Sequence, residues 1–172
     1  DGERLSAQGQ KMAALGNDPR LAAMLVSAKS DDEAATAANI AAILEEPPRM
    51  GNSDLGVAFS RNQPAWQQRS QQLLKRLNVR GGEADSSLIA PLLAGAYADR
   101  IARRRGQDGR YQLANGMGAM LDADDALSRH EWLIAPLLLQ GSASPDARIL
   151  LALPVDIDEL VQRCPQLVQQ SD

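Results

Sequence analysis

Five arginines between positions 100 and 110 (Arg100, Arg103, Arg104, Arg105 and Arg110) form the densest group of chemically capable side chains in this sequence. A guanidinium offers its donors in a flat fork that fits two phosphate oxygens at once, and its plane stacks on bases. On a strand, Arg103 and Arg105 would project from one face and Arg100 and Arg104 from the other. Such a run suits a groove that follows a nucleic-acid backbone. It equally suits a solvated edge strand that uses charge to prevent sheet-to-sheet pairing. A second set, Arg69, Arg76 and Arg80, falls at offsets of seven and four, with Gln68 and Gln72 beside it. That spacing places the three cations on one face of a helix. The face is either a phosphate-contacting surface or the wet side of an amphipathic helix. Arg20 follows Pro19 at an expected helix start, where a cation opposes the helix dipole. A specific contact with a neighbouring domain is the expected reason for it.

The remaining reactive side chains point away from catalysis. His130, the sole histidine, has no nucleophile or metal ligands at a useful spacing and is expected to be a surface or loop-end residue. The single Cys164 excludes an internal disulfide, and its position near an apolar helix end favours packing over reactivity. Asp122, Asp124 and Asp125 resemble half of a cation site but lack the ordered D-x-D-x-D-G spacing with a distal Glu, so a solvated turn is expected. No G-x-x-x-x-G-K-[ST] occurs, and Gly116-Met117-Gly118 is no dinucleotide fingerprint, because a hairpin turn precedes it and no helix follows. The segment is therefore expected to be catalytically silent, with no cofactor or metal of its own.

Composition narrows the class. A chain of 172 residues, 44% hydrophobic, can bury one good core or two small ones. With two Trp, two Tyr and one Phe, most packing falls to Ala, Leu and Ile, which favours close helix contacts. The net charge of −4 and the pI near 5.0 argue against diffuse binding to nucleic acid, so any such binding must use local patches. Charge is uneven: residues 1–80 carry ten Lys/Arg against nine Asp/Glu, and the remainder eight against thirteen. That acidic second half supports an alternative function, a protein-interaction or scaffold module with no nucleic-acid binding of its own. No apolar run approaches the ~18 residues of a membrane span. With no leader visible either, the expected location is cytoplasmic, without a membrane partner.

The elements that must position these residues change character along the chain. Asp18-Pro19 reads as N-cap and first residue of a helix carrying Leu21, Met24, Leu25 and Ala28 on one face. Ser30-Asp31-Asp32-Glu33 is a capping box opening a second helix, with Ala34, Ala37, Ile40, Ala41 and Leu44 inward. Pro47 to Ser60 reads as a loop, and Asn62 as the cap of a third helix reaching Val79, with Trp66, Leu73, Leu74 and Leu77 as its apolar stripe. Ser86 to Tyr97 reads as a last helix with Pro91 near its start or bending it. Beyond Ala98 the period becomes that of strands. Asn115-Gly116 predicts a two-residue hairpin turn with Tyr111 opposite Met120 and both facing the core beside Leu113. Trp132 to Leu139 predicts a strand whose Pro136 marks an edge or a bulge. Ala147 to Leu153 predicts a central strand, and a short helix follows from Asp156 to Arg163.

Two sets of motifs carry a family resemblance. Leu5-Ser6, Gly9, Met12-Ala13 and Pro19-Arg20-Leu21-Ala22-Ala23-Met24-Leu25 resemble the passage from winged-helix domain to ratchet-like bundle in DEAH-box helicases, with Ser6 in place of the usual Thr and Gly16 where Pro is common. YADRIARRRG (Tyr97 to Gly106), RYQLANGMGAML (Arg110 to Leu121), DALSRHEWLIA (Asp125 to Ala135) and ARILLALPVD (Ala147 to Asp156) resemble the C-terminal region of HrpB-type bacterial helicases, with Ala98 in place of an expected Pro. The resemblance implies a C-terminal fragment of an ATP-dependent RNA helicase, of α+β class. Residues 1–17 would be a winged-helix remnant, residues 18–98 a helical ratchet-like bundle and residues 99–172 a small OB-like antiparallel β-barrel. It also implies a parent protein that uses ATP and Mg2+. The partners would be single-stranded RNA or other nucleic acid and the upstream motor domains of the same chain. In that family the bundle borders the RNA channel, which would give Arg69, Arg76 and Arg80 a role. Arg20 would contact the missing winged helix.

Overall fold

Pro19 opens the first helix, α1 (Pro19–Val26), where its missing N–H is no loss because the first turn has no intrahelical acceptor to meet. The computed structural model describes residues 19–48, 53–106, 108–140 and 146–164, so the Asp18 cap and the winged-helix motifs of 1–17 lie outside the described residues. Ser30 caps α2 (Asp31–Glu45) as the capping box anticipates: its hydroxyl oxygen accepts the Glu33 N–H at 3.1 Å. Sequence periodicity gave α2 one inward face. In the structure every residue from Ala34 to Leu44 except Asn39 is buried, because its alanines let neighbours approach from all sides and make it the central helix. The Thr36 hydroxyl within it donates to the Asp32 carbonyl (2.7 Å) and accepts the Asp85 N–H (2.9 Å), tying down the segment ahead of the last bundle helix.

The stretch expected to be a loop contains a helix, α3 (Leu55–Arg61), capped by Asp54, whose carboxylate accepts the Gly56 N–H at 2.8 Å. Asn62, expected to begin the next helix, ends this one. It adopts a left-handed conformation (φ 45°) and donates its N–H to the Ala58 carbonyl, a geometry Asn tolerates better than most residues. Helix α4 (Pro64–Arg76) starts after it and stops short of Val79. Asn78 (φ 56°) reverses the chain, and the N–H groups of Asn78 and Val79 close on the carbonyls of Lys75 and Leu74. Trp66, Ser70, Leu73 and Leu77 form its buried stripe, and the Trp66 indole N–H donates to the Glu46 carbonyl at 2.8 Å. The expected helix over Ser86 to Tyr97 divides into a 3-10 turn, Ser86–Leu88, and α5 (Ile89–Ala96), with Pro91 in the first turn.

After a 3-10 turn at Ala98–Arg100 come β1 (Ile101–Arg104), β2 (Arg110–Leu113), β3 (Gly118–Met120), β4 (Trp132–Gln140) and β5 (Ala147–Pro154), then α6 (Ile157–Arg163), capped by Asp156. The strands close in the order β1-β2-β3-β5-β4, a five-stranded barrel of the OB kind. Four pairings are antiparallel and β3 with β5 is parallel. A closed ring with an odd number of strands cannot alternate direction throughout, so an entirely antiparallel barrel was not available.

The hairpin turn is one residue longer than predicted. The Leu113 N–H bonds the Met117 carbonyl (2.8 Å), and the three-residue loop ends in Gly116 at φ 91°. Tyr111 therefore pairs with Ala119 and Arg110 with Met120. Ala119, not Met120, joins Tyr111 and Leu113 inside the barrel. Pro136 does mark a bulge, between Ile134 and Leu138, but β4 is no edge, since β1 and β5 flank it.

Two apolar cores result. Ala102, Tyr111, Leu113, Ala119, Leu133, Ala135 and Ile149 fill the barrel, together with Leu127 from a 3-10 turn at Ala126–Arg129. The helical core continues onto the outside of the barrel and takes in Ile134, Leu151, Leu160 and Cys164. Strand β4 thus buries both faces, which is why its sequence is nearly unbroken in apolar character.

Candidate nucleic-acid interface

Strand β1 sets the geometry. Ala102 points into the barrel and is fully buried, so Arg103 points outward and is exposed. Its cross-strand partners are Gln112 on β2 and Trp132 on β4, which share its outer face. The Arg103 guanidinium lies over the Trp132 ring, 5.4 Å from the centroid, and 3.8 Å from the Glu131 carboxylate. Arg105 lies just past the strand end, its N–H bonded to the Arg110 carbonyl at 2.7 Å. Arg103, Arg105 and Trp132 line a groove of about 890 Å³ between the barrel and the helices, with Ile101, Gln112 and the hairpin tip on one side and Ala96, Ile157 and Val161 on the other. The carboxylate in its lining is Asp99, already held by Arg20. A smaller cavity of about 460 Å³ adjoins Arg103, Arg104, Arg105 and Glu131.

The other members of the arginine run do different work. Arg104 shares the inward phase of Ala102 but sits at the barrel end, where its guanidinium donates to the Arg129 carbonyl at 2.9 Å and braces the 3-10 turn. Arg100 belongs to the turn before β1, 3.9 Å from Asp99, and does not alternate with its neighbours as a strand residue. Arg110 is exposed at the start of β2, outside the groove lining. The run therefore brings two of its five cations, Arg103 and Arg105, together on one groove.

The helical stripe does not assemble as the spacing predicted. Arg69 is engaged by the Glu45 carboxylate of α2 at 2.7 and 3.2 Å. Arg76 stands exposed in the last turn of α4. Arg80 follows the left-handed Asn78, so it is off the helix and off its face.

Arg20 makes its specific contact within the described chain. Its guanidinium forms a two-pronged bridge to Asp99 at 2.7 and 2.8 Å and lies 5.2 Å from the centre of the Tyr97 ring. The hydrogen bonds from Arg20, outweighing partial burial, hold the Asp99 carboxyl below the usual carboxylate range. This clamp fastens α1 to the turn that leads into the barrel.

Tyr111 is buried, as the hairpin predicted, and is not a stacking surface. Its hydroxyl lies 2.6 Å from the His130 carbonyl and 2.9 Å from that of Leu127, and burial pushes its pKa up to about 12. His130 is exposed at the end of the Ala126–Arg129 turn. Cys164 is buried at the end of α6, and burial raises its thiol pKa. Of the acidic cluster, Asp125 caps the turn by accepting the Leu127 N–H at 2.9 Å and also accepts the Ser53 hydroxyl, while Asp122 pairs with Arg148 at 3.3 Å.

Sequence reasoning missed Trp132, Gln112 and Asp99. A tryptophan opening a strand was visible as a strand residue. Its meeting with Arg103 depends on the β1–β4 register, which closes across 29 positions of sequence and leaves no local signal.

No protein-family model matches this chain. Over all 172 residues it is 96% identical to the ATP-dependent RNA helicase HrpB of Escherichia coli (strain K12), and it spans 21% of that protein's length. The crystal structure of the E. coli DExH-box NTPase HrpB superposes with a TM-score of 0.88 at 96% identity, covering 96% of this chain and 20% of that one. A second, of the E. coli DEAH/RHA helicase HrpB, gives 0.84 at 87% identity, covering 96% of this chain and 21% of that one. Sequence and fold together make the whole of this chain similar to a segment of about one fifth of the HrpB helicase.

Proposed function

We propose that this chain serves as the accessory C-terminal region of an ATP-dependent RNA helicase, helping to form the channel for single-stranded nucleic acid and coupling it to the upstream motor. In this reading, residues 18–98 are the ratchet-like bundle, residues 99–172 the OB-like domain and residues 1–17 the end of a winged helix. The observation that carries the proposal is the groove: two guanidiniums, Arg103 and Arg105, share it with a half-buried Trp132, in a chain 96% identical to a segment of the HrpB helicase. Cations that neutralise phosphates, beside an aromatic ring, are the usual means of gripping a single strand. The Arg20–Asp99 clamp supports the coupling part, since it joins the bundle to the barrel at the turn where motion of one would reach the other.

In this reading nucleotide chemistry, with ATP and Mg2+, belongs to the upstream motor domains. The sequence carries no G-x-x-x-x-G-K-[ST] loop to cradle a triphosphate, and among the described residues Asp122 faces Arg148 while Asp125 accepts from the Ser53 hydroxyl and the Leu127 N–H. The partners are then single-stranded RNA and the motor domains of the same chain.

The test is RNA-stimulated ATP hydrolysis by the complete HrpB-type polypeptide carrying Arg103→Glu and Arg105→Glu. The expected result is a rise of at least tenfold in the RNA concentration needed for half-maximal stimulation. An unchanged RNA requirement would remove the groove from the channel. It would leave a scaffold role for the acidic half.

A further inference from the structure

We propose that Trp132 is a stacking shelf for one unpaired base, and that Arg103 is its movable cover. This deepens the nucleic-acid reading of the groove and rests on it. The shelf is rigid. Trp132 sits on β4, its Cα registered against Arg103 on one side and its carbonyl accepting the Val155 N–H at 3.1 Å on the other. Trp132 is half-buried, in a groove whose apolar lining includes Ile101, Ala96, Ile157 and Val161, so a base placed on its ring moves from water onto a partly apolar surface.

The cover is loose. The Arg103 and Glu131 side chains are 62% and 57% exposed, and their closest approach is 3.8 Å. An ion pair that wet and that long holds little. The guanidinium over the ring at 5.4 Å marks the face as open to a flat, cation- or π-compatible partner. When a base arrives, Arg103 leaves the ring and pairs with a phosphate of the same strand. Arg105 lies in the same groove for a further phosphate, and the exposed Gln112 amide beside Arg103 can meet a base edge. The one carboxylate in the lining, Asp99, is neutralised by Arg20, so the groove presents net positive charge to its occupant.

The ligand class follows from the geometry. A base inside a duplex has both faces covered by its neighbours and cannot reach the ring, so the site takes single strands. Stacking uses a surface that every base has, so little sequence preference is expected.

The chain carries its own reporter. It has two tryptophans, and Trp66 is buried with its indole N–H held by the Glu46 carbonyl, so a change in emission on binding reports Trp132. Titration of the 172-residue chain with an unlabelled single-stranded RNA dodecamer is expected to quench tryptophan emission, whereas a duplex of the same length leaves it unchanged. In parallel, anisotropy of the labelled dodecamer measures affinity. Trp132→Leu is expected to weaken it about tenfold, with Trp132→Phe recovering most of the loss. Salt-sensitive RNA binding with no quenching of the unsubstituted chain, and with Trp132→Leu binding equally well, would overturn the shelf while leaving the groove reading intact. No RNA binding at any salt concentration would overturn both. The quenching measurement needs no substitution, so a misfolded variant does not rescue the proposal.

Discussion

Breaking the bridge between Arg20 and Asp99 should weaken the fold by an amount that depends on both partners and disappears in acid. The two hydrogen bonds are short, 2.7 and 2.8 Å, and forked, the strongest arrangement for this pair. Both side chains remain more than a third exposed, at 36% and 37%, so water screens the charges and the pair contributes about 1 kcal/mol. The contact of Arg20 with the Tyr97 ring adds about 0.5–1 kcal/mol. Arg20→Ala should therefore cost about 1.5–2 kcal/mol and Asp99→Asn about 1 kcal/mol, with an interaction of about 1 kcal/mol when both are changed. For a chain of this size Arg20→Ala should lower Tm by about 3–8 °C.

The pH dependence has a definite sign. Because Arg20 holds the Asp99 carboxyl below its unfolded value, the stabilisation is fully present above that value, about pH 4, and is lost as pH falls through the lower folded value. Urea unfolding of the four proteins, followed by far-UV circular dichroism at neutral pH and at steps below pH 4, measures the interaction directly. Effects that simply add at neutral pH, or an interaction that grows in acid, would refute the clamp.

Two further predictions concern the barrel. Tyr111→Phe keeps the ring but removes the donor that serves the Leu127 and His130 carbonyls, and should cost about 1–3 kcal/mol in a denaturant titration. Gly109 and Gly116 both have positive φ (76° and 91°), but a Cβ at Gly109 would meet the Leu121 carbonyl, whereas Gly116 faces open space. Gly116→Ala should cost about 1–2 kcal/mol for the left-handed backbone, and Gly109→Ala should cost more; equal losses by thermal melting would contradict the close approach.

The parts of the fold that were legible in the sequence are those set by local rules. The capping box fixed the start of α2, the bulge was signalled by Pro136, and the change of period fell where the 3-10 turn at Ala98–Arg100 now stands. The errors came where two local readings compete. Asn62 can cap a helix start or, in left-handed form, a helix end, and the short α3 before it decides for the latter. A hairpin with Asn-Gly takes a two- or a three-residue loop, and one residue more moved Met120 from the core to a half-buried position.

The groove was half legible. Arg103 and Arg105 were visible as one face of a strand, but Arg69 and Arg104 looked equally available and are held by Glu45 and the Arg129 carbonyl. Those partners lie 24 and 25 positions away, so no local pattern could reveal them. The same distance problem hid Trp132 opposite Arg103 and Asp99 opposite Arg20.

The measurement that bears most directly on the central claim is the affinity of the 172-residue chain for single-stranded RNA across a salt series, with and without Arg103→Glu and Arg105→Glu. Two phosphate contacts should give a log–log slope of about −1.4, because each releases about 0.7 of a counterion from a single strand. The reversed protein should lose both the affinity and the slope. RNA binding with the same slope after reversal, or no binding even at low salt, would contradict the groove as the nucleic-acid interface.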